Sequence, residues 1–119
     1  MNFTLLGIPN CDRVRKARKL MKARGTSFHF RDIRETPLSA EEWLNLIDQD
    51  HQNLLINTRS PSYRKTGHTA KALGRDAKLE VLLAQPTAMK RPVLTFGEKL
   101  LACGFDPEKE PQLLDTLPQ

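Results

Sequence analysis

The sequence predicts an α/β fold: a mixed four-stranded sheet with a block of helices inserted between a βαβ half and a ββα half. Three observations predict it. Residues 2–7, "NFTLLG", and about 27–31, within "TSFHFRDI", are short apolar runs separated by one helical pattern. Residues 93–102 hold two more apolar runs, joined across Gly97-Glu98. The stretch of about 38–88 that lies between these halves is mostly helical in pattern.

The elements follow in order. The first strand places Phe3 and Leu5 on one side and ends at Gly7. Pro9-Asn10 makes a turn. From Cys11 to about Arg24 the period is helical, with Val14, Ala17, Leu20 and Met21 on one face and Arg15, Lys16, Lys19 and Lys22 largely on another. Gly25 suits the C-terminal cap. Phe28 and Phe30 alternate in the second strand, and the order strand, helix, strand implies a right-handed parallel crossover. After a loop at 35–38, Ser39 opens a capping box with Glu42. Ala40, Trp43, Leu44 and Ile47 then take the spacing of an amphipathic helix. Leu54 to Ile56 is a short apolar segment that leads into a polar loop. Gly74 precedes a helical stretch at about 75–84, with Leu79, Leu82 and Leu83 on one face. "QPTAMKRP" reads as a loop. Val93–Phe96 and Lys99–Ala102 form a hairpin. Asp106-Pro107 and Glu110-Pro111 suit the start of a last helix, whose apolar face is Leu113, Leu114 and Leu117. A βαβ unit completed by a ββα unit is the thioredoxin/glutaredoxin-like arrangement. On this reading residues 1–119 form a single domain, with 1–34 and 91–119 as the core and about 38–88 as a helical insertion.

Length and composition limit the function classes. A chain of 119 residues favours one domain. No apolar run approaches the ~20 residues that span a bilayer. The start, "MNFTLLGIPNCDR", lacks the pattern of a secretory signal, so a cytoplasmic location is expected. Cys11 and Cys103 are too few for a disulfide scaffold. His29, His51 and His68 have no ligand spacing, so no metal is expected, and there is no phosphate-cradling Gly-rich loop. Nothing demands more than a monomer.

The net charge of +5 is unevenly spread: residues 1–34 hold nine Lys/Arg against two acids, and 35–58 hold five acids and no Lys/Arg. Residues 59–91 return to eight bases against two acids. Such blocks could draw nucleic acid, an acidic protein or a small anion, or be solvated helix faces.

Cys11 is the first candidate for chemistry, because it sits where the first strand hands over to the first helix. The N–H groups of a first helical turn carry roughly half a positive charge and favour a thiolate over a thiol. Arg13 and Arg15 are close enough in sequence to add to this, and Asp12 opposes it unless it serves the helix start. A buried, inert cysteine is the alternative. Three residues on stands Val14, so there is no C-x-x-C pair, and a redox-active Cys11 is a monothiol. Glutathione is the obvious external resolving thiol, and Cys103 an internal one. Arg91-Pro92 is the second candidate, a proline directly before an inner strand. In a thioredoxin-like fold that proline is cis and faces the thiol, which would hold Arg91 near Cys11 for bidentate binding of an oxyanion or carboxylate. The third is "NTRSPSYRK", a polar loop with Asn57, Arg59, Arg64 and Lys65.

Taken together, "GIPNCDRVRKARKLM", "LLINTRSPSYRKTG" and "MKRPVLTFGEKLLACGF" resemble the arsenate reductase (ArsC) and Spx family, and within it the YffB-like branch. The resemblance runs in order over nearly the whole chain. It implies a thioredoxin-like sheet with a helical insertion. It implies Cys11 as the nucleophile, Arg59 and Arg91 as arginines that bind the oxyanion, Pro92 as the proline beside the thiol, and Asn10 with Arg59, Arg91 and Pro92 as the substrate or glutathione contacts. It departs from glutathione-coupled arsenate reductases in two places: no histidine precedes Cys11, and "LLACGF" carries no third arginine. It departs from Spx regulators of RNA polymerase in having Val14 where they carry the second cysteine. The resemblance therefore implies a glutathione-dependent thiol oxidoreductase acting on a small or protein disulfide or oxyanion, with no bound cofactor. Arsenate reduction and RNA polymerase binding are the alternatives, and nucleic acid is not an expected partner.

Overall fold

The computed structural model describes residues 2–67 and 73–115. β1 (Phe3–Gly7), β2 (Phe28–Asp32), β3 (Val93–Phe96) and β4 (Lys99–Cys103) form one sheet in the order β2-β1-β3-β4. β1 and β2 are parallel, with Leu5 opposite Phe30, and β3 is antiparallel to both β1 and β4. This is the predicted thioredoxin-like α/β sheet.

Strand periodicity divides the core in two. Phe3, Leu5 and Leu94 point to one face, where they meet Ala17, Met21, Phe105 and Leu114. Leu6 and Val93 point to the other, toward Trp43, Leu46, Ile47, Leu55, Leu82 and Met89. Helices α1 (Asp12–Ala23) and α5 (Gln112–Asp115) therefore cover the first face, and α2 (Ala40–Gln49) and α4 (Arg75–Ala84) cover the second.

α1 starts at Cys11, whose side chain makes no capping hydrogen bond, and buries Val14, Ala17 and Met21. It stops at Gly25, at φ +74°, where the Thr26 N–H donates to the Met21 carbonyl at 3.0 Å. Its approach to β1 is close: a Cβ on Gly7 would lie 2.7 Å from Val14 Cγ2, so only glycine fits the end of that strand. α2 has the predicted capping box, with the Ser39 Oγ accepting from the Glu42 N–H and the Glu42 carboxylate from the Ser39 N–H. Arg31 adds a forked contact to the same carboxylate at 2.5 and 3.2 Å, tying β2 to α2. At the other end of α2 the Gln49 amide imitates a strand. It accepts from the Leu100 N–H at 2.9 Å and donates to the Glu98 carbonyl at 2.8 Å, occupying the edge of β4.

Four details differ from the sequence reading. In α2 the buried stripe is Trp43, Leu46 and Ile47, with Ala40 exposed and Leu44 half-buried. The helix turns toward α4 as well as the sheet, which shifts the stripe. In α4 Val81 and Leu82 are buried, while Leu83 is 48 % exposed. The segment after Leu54–Ile56 is not all loop. It holds α3 (Pro61–Arg64), capped by the Ser60 Oγ and burying Tyr63. Four residues are too few to show a helical period, so only the Ser-Pro start signalled it. Asp106-Pro107 forms a turn, not a helix start; α5 begins at Gln112, and Leu117 lies outside the described residues. Among the described residues no helix is long and apolar enough to cross a membrane.

Candidate active-site cleft

Two tethers bring distant residues to the C-terminal end of β1. The first is Asp50, which ends α2 as a buried carboxylate and accepts from the Leu54 and Leu55 N–H groups at 2.9 and 2.8 Å. That fixes the chain as it leaves α2. The second is a short antiparallel pairing of 55–57 with 88–90. The Lys90 N–H donates to the Leu55 carbonyl, the Asn57 N–H donates to the Ala88 carbonyl, each at 2.7 Å, and Ile56 bridges Met89. Asn57 then turns the chain, its Oδ1 accepting from the Arg59 N–H at 3.1 Å. The loop carrying Arg59 and the segment carrying Arg91 are thus stitched together before either meets Cys11.

The result is an open cleft of about 620 Å³ lined by Cys11, Arg13, Arg59, Lys90 and Arg91 together with Ile56, Asn57 and the neighbouring Asn53, Leu54 and Thr58. The Arg91-Pro92 peptide is cis and Pro92 is buried, as the fold demanded. Cys11 is half-buried and packs against the core on the α2 side. Its carbonyl accepts the first helical bond, from the Arg15 N–H at 2.9 Å. The structure therefore brings Cys11, Arg59 and Arg91 together across 80 residues of sequence (11 to 91).

Other expected residues fall elsewhere. Asn10 is exposed in the turn and does not line the cleft, nor do Arg64 and Lys65 on and after α3. Arg15 does not line the cleft and pairs with Asp12 at 2.5 Å. The Asp12 carboxylate is drawn toward solvent by a cation of its own helix, and only Arg13 of the two early arginines faces the cleft. Arg13 is suggested by its proximity to Cys11 in sequence; Lys90 lines the cleft beside Arg91, and no local pattern in the sequence marks it as a cleft residue.

Cys103 lies at the end of β4, opposite Val93, and packs against the same core as Cys11. Burial pushes its thiol up to about 12, the Asp50 carboxylate adds to this, and the Lys90 ammonium opposes it. It is a neutral thiol at physiological pH. Both cysteines are free. A different cleft of about 400 Å³ lies between α2 and the sheet, lined by residues that include Leu6, Arg31, Glu42 and Thr95. It holds no thiol, and its arginine is already bound to Glu42. Among the described residues no group of three or more His, Cys, Asp or Glu could hold a metal ion.

The comparisons with known proteins agree with this architecture. The sequence model of the ArsC family matches residues 6–112. An uncharacterised protein of Haemophilus influenzae is 34 % identical over 111 residues, covering 92 % of this chain and 96 % of that one. The global transcriptional regulator Spx of Enterococcus faecalis is 30 % identical over 109 residues, covering 90 % of this chain and 82 % of its own. The solved structure of a YffB protein superposes with a TM-score of 0.81 at 27 % identity, covering 94 % and 98 % of the two chains.

Proposed function

The chain belongs to the ArsC family, and on that premise we propose that it is a thiol–disulfide oxidoreductase that uses Cys11 as a single nucleophile and glutathione as co-substrate. The observation that carries this reading is the cleft in which a half-buried thiol at a helix start stands among basic side chains from remote parts of the sequence.

The steps follow from exchange chemistry. The Cys11 thiolate attacks one sulfur of a disulfide. A new S–S bond forms to Cys11, the old one breaks, and the departing sulfur leaves as a thiolate with the bonding pair. A glutathione thiolate then attacks the substrate-derived sulfur of this mixed disulfide, the neighbour of Cys11 Sγ, forming an S–S bond to glutathione and breaking the one to Cys11. Attack on the neighbour releases Cys11 as a thiolate and closes the cycle. Arg59 and Arg91 hold the carboxylates of glutathione or of the substrate, since guanidinium forks match planar anions. Cys103 is a poor internal substitute for glutathione, because a thiol held near 12 presents almost no thiolate at neutral pH.

Incubation with glutathione disulfide followed by peptide mass spectrometry tests this. The expected result is one glutathione adduct, on Cys11, that dithiothreitol removes. Absence of an adduct on the folded protein, with Cys11 still modified after unfolding, overturns it.

The similarity to Spx supports a second reading, a regulator that binds RNA polymerase. Val14, wholly buried against Gly7, occupies the position of the second thiol of a C-x-x-C switch. A regulator of this sequence would therefore act without that disulfide. Retention of polymerase α-subunit binding by Cys11→Ala, together with full cellular function, favours the regulator over the enzyme.

A further inference from the structure

Among the described residues some basic side chains are paired with carboxylates and others are not, the unpaired ones lying both at the cleft and away from it, as Lys19, Lys22 and Arg34 do. Arg15, Lys16, Arg24, Arg31 and Arg75 each have a carboxylate partner: Asp12, Glu108, Asp115, Glu42 and Asp48. Arg13, Arg59, Lys90 and Arg91 have none among the described residues, and these are the four that line the Cys11 cleft. Among the described residues no Asp or Glu lines it. Four like charges from three separate segments line one cleft with the thiol, and Arg13 also borders the neighbouring groove that holds Asp106, Glu108 and Glu110.

Two of the four go beyond the arginines already given a role. Arg13 stands in the first turn of α1, two residues past the thiol. Lys90 is positioned by its backbone. Its N–H is bonded to Leu55 and its carbonyl accepts from the Gly104 N–H at 3.0 Å. Its stem lies over the bare face of Gly104, where a Cβ would meet Cε, Cγ and Cδ at 3.1–3.4 Å. The methylenes are thus packed, and Lys90 lines the cleft.

We propose that Arg13 and Lys90 complete, with Arg59 and Arg91, a four-cation rim that selects the disulfide partner of Cys11 by net negative charge. Anionic disulfides, such as those carrying carboxylates, are drawn in and cationic ones are turned away. The inference rests on Cys11 being the nucleophile, and it adds the substrate class and two specificity residues to that reading. Each encounter is the exchange already written: the thiolate gains one sulfur of the probe, and the other leaves as a thiolate.

The test is a charge series. Cys11 in the Cys103→Ser protein is reacted with 5,5′-dithiobis(2-nitrobenzoate), a dianion; with 2,2′-dipyridyl disulfide, neutral; and with cystamine, a dication. Each rate is divided by that of 2-mercaptoethanol, a neutral thiol, to remove the probe's own reactivity. At low salt the normalised rate for the dianion should exceed that for the dication by at least about tenfold. The preference should collapse as salt approaches ~1 M, where screening reaches down to ~3 Å. Arg13→Gln and Lys90→Gln should each lower the anionic-to-neutral ratio by about two- to fivefold, the range of one exposed ion pair. Arg15→Gln, which removes the same charge from a paired position in the same helical turn, should leave the ratio unchanged. Equal ratios in wild type and Arg13→Gln overturn the proposal, as does an equal fall in Arg15→Gln, which would mean a diffuse field and not a rim. If the neutral probe reacts but charge makes no difference, the rim falls and the nucleophile stands. If even the neutral probe fails to react with folded protein, both fall.

Discussion

The two cysteines should differ in reactivity by an amount that the structure sets. Cys103 is held at about 12 by burial and by Asp50, against the weaker pull of Lys90. At pH 7 such a thiol is thiolate in about one molecule in 10⁵, whereas a free cysteine of pKa ~8.5 is about 3 % thiolate. The ratio of thiolates is roughly 3,000. A more basic thiolate is the better nucleophile, with a Brønsted slope of about 0.4–0.5, and this returns a factor of roughly 40. The net expectation is that Cys103 reacts about a hundredfold more slowly than free cysteine, before any steric shielding. The perturbation is a pair of variants, Cys11→Ser and Cys103→Ser, treated with iodoacetamide at pH 7 and followed by mass spectrometry. The thiol left in Cys11→Ser should be the slow one, and its rate should keep climbing with pH up to about 12. The thiol left in Cys103→Ser should react at least as fast as free cysteine. If Cys103 alkylates within a few-fold of free cysteine in folded protein, its burial does not suppress the thiolate. An internal disulfide between the two cysteines would then compete with glutathione.

Two further predictions concern the frame. Gly7→Ala places a methyl 2.7 Å from Val14 Cγ2, so it should cost about 1–3 kcal/mol in urea unfolding. In a Val14→Ala background the same change should cost less than about 0.5 kcal/mol, and strict additivity would refute the steric account. Glu42 is lowered from 4.5 to about 2, chiefly by the Arg31 hydrogen bond and then by the Ser39 N–H. A folded pKa below the unfolded one stabilises above about 4.5 and is lost as pH falls toward about 2. The side chain is 46 % exposed, so solvent screening leaves about 1 kcal/mol. Glu42→Gln keeps the cap but loses the charge; its deficit against wild type should be present at pH 7 and vanish near pH 2. A deficit that stays constant across that range refutes the assignment.

Local chemistry in the sequence determined much of this protein. Strand alternation at Phe3 and Leu5, the Ser39–Glu42 capping box and the Gly97-Glu98 turn each act within a few residues, so each could be read without coordinates. So could the place of Cys11, because a strand ending at Gly7 and a helix beginning after a turn leave the thiol at the junction. Arg59, Arg91 and Pro92 were legible through their surrounding motifs, not through periodicity. What the tertiary structure decided is orientation. Arg13 and Arg15 are equally basic and two residues apart, yet one lines the cleft and the other is taken by Asp12, because a helix turns about 200° over two residues. Lys90 joins the site through the pairing of 55–57 with 88–90, which no local pattern announces, while Asn10 stays exposed in its turn. The suppression of the Cys103 thiol is of the same kind. Its neighbours Asp50 and Lys90 come from the end of α2 and the segment before β3, and only packing sets their fields against each other. The sequence by itself determined which thiol stands at a helix start; the folded chain decided which cations surround it and which thiol is silent.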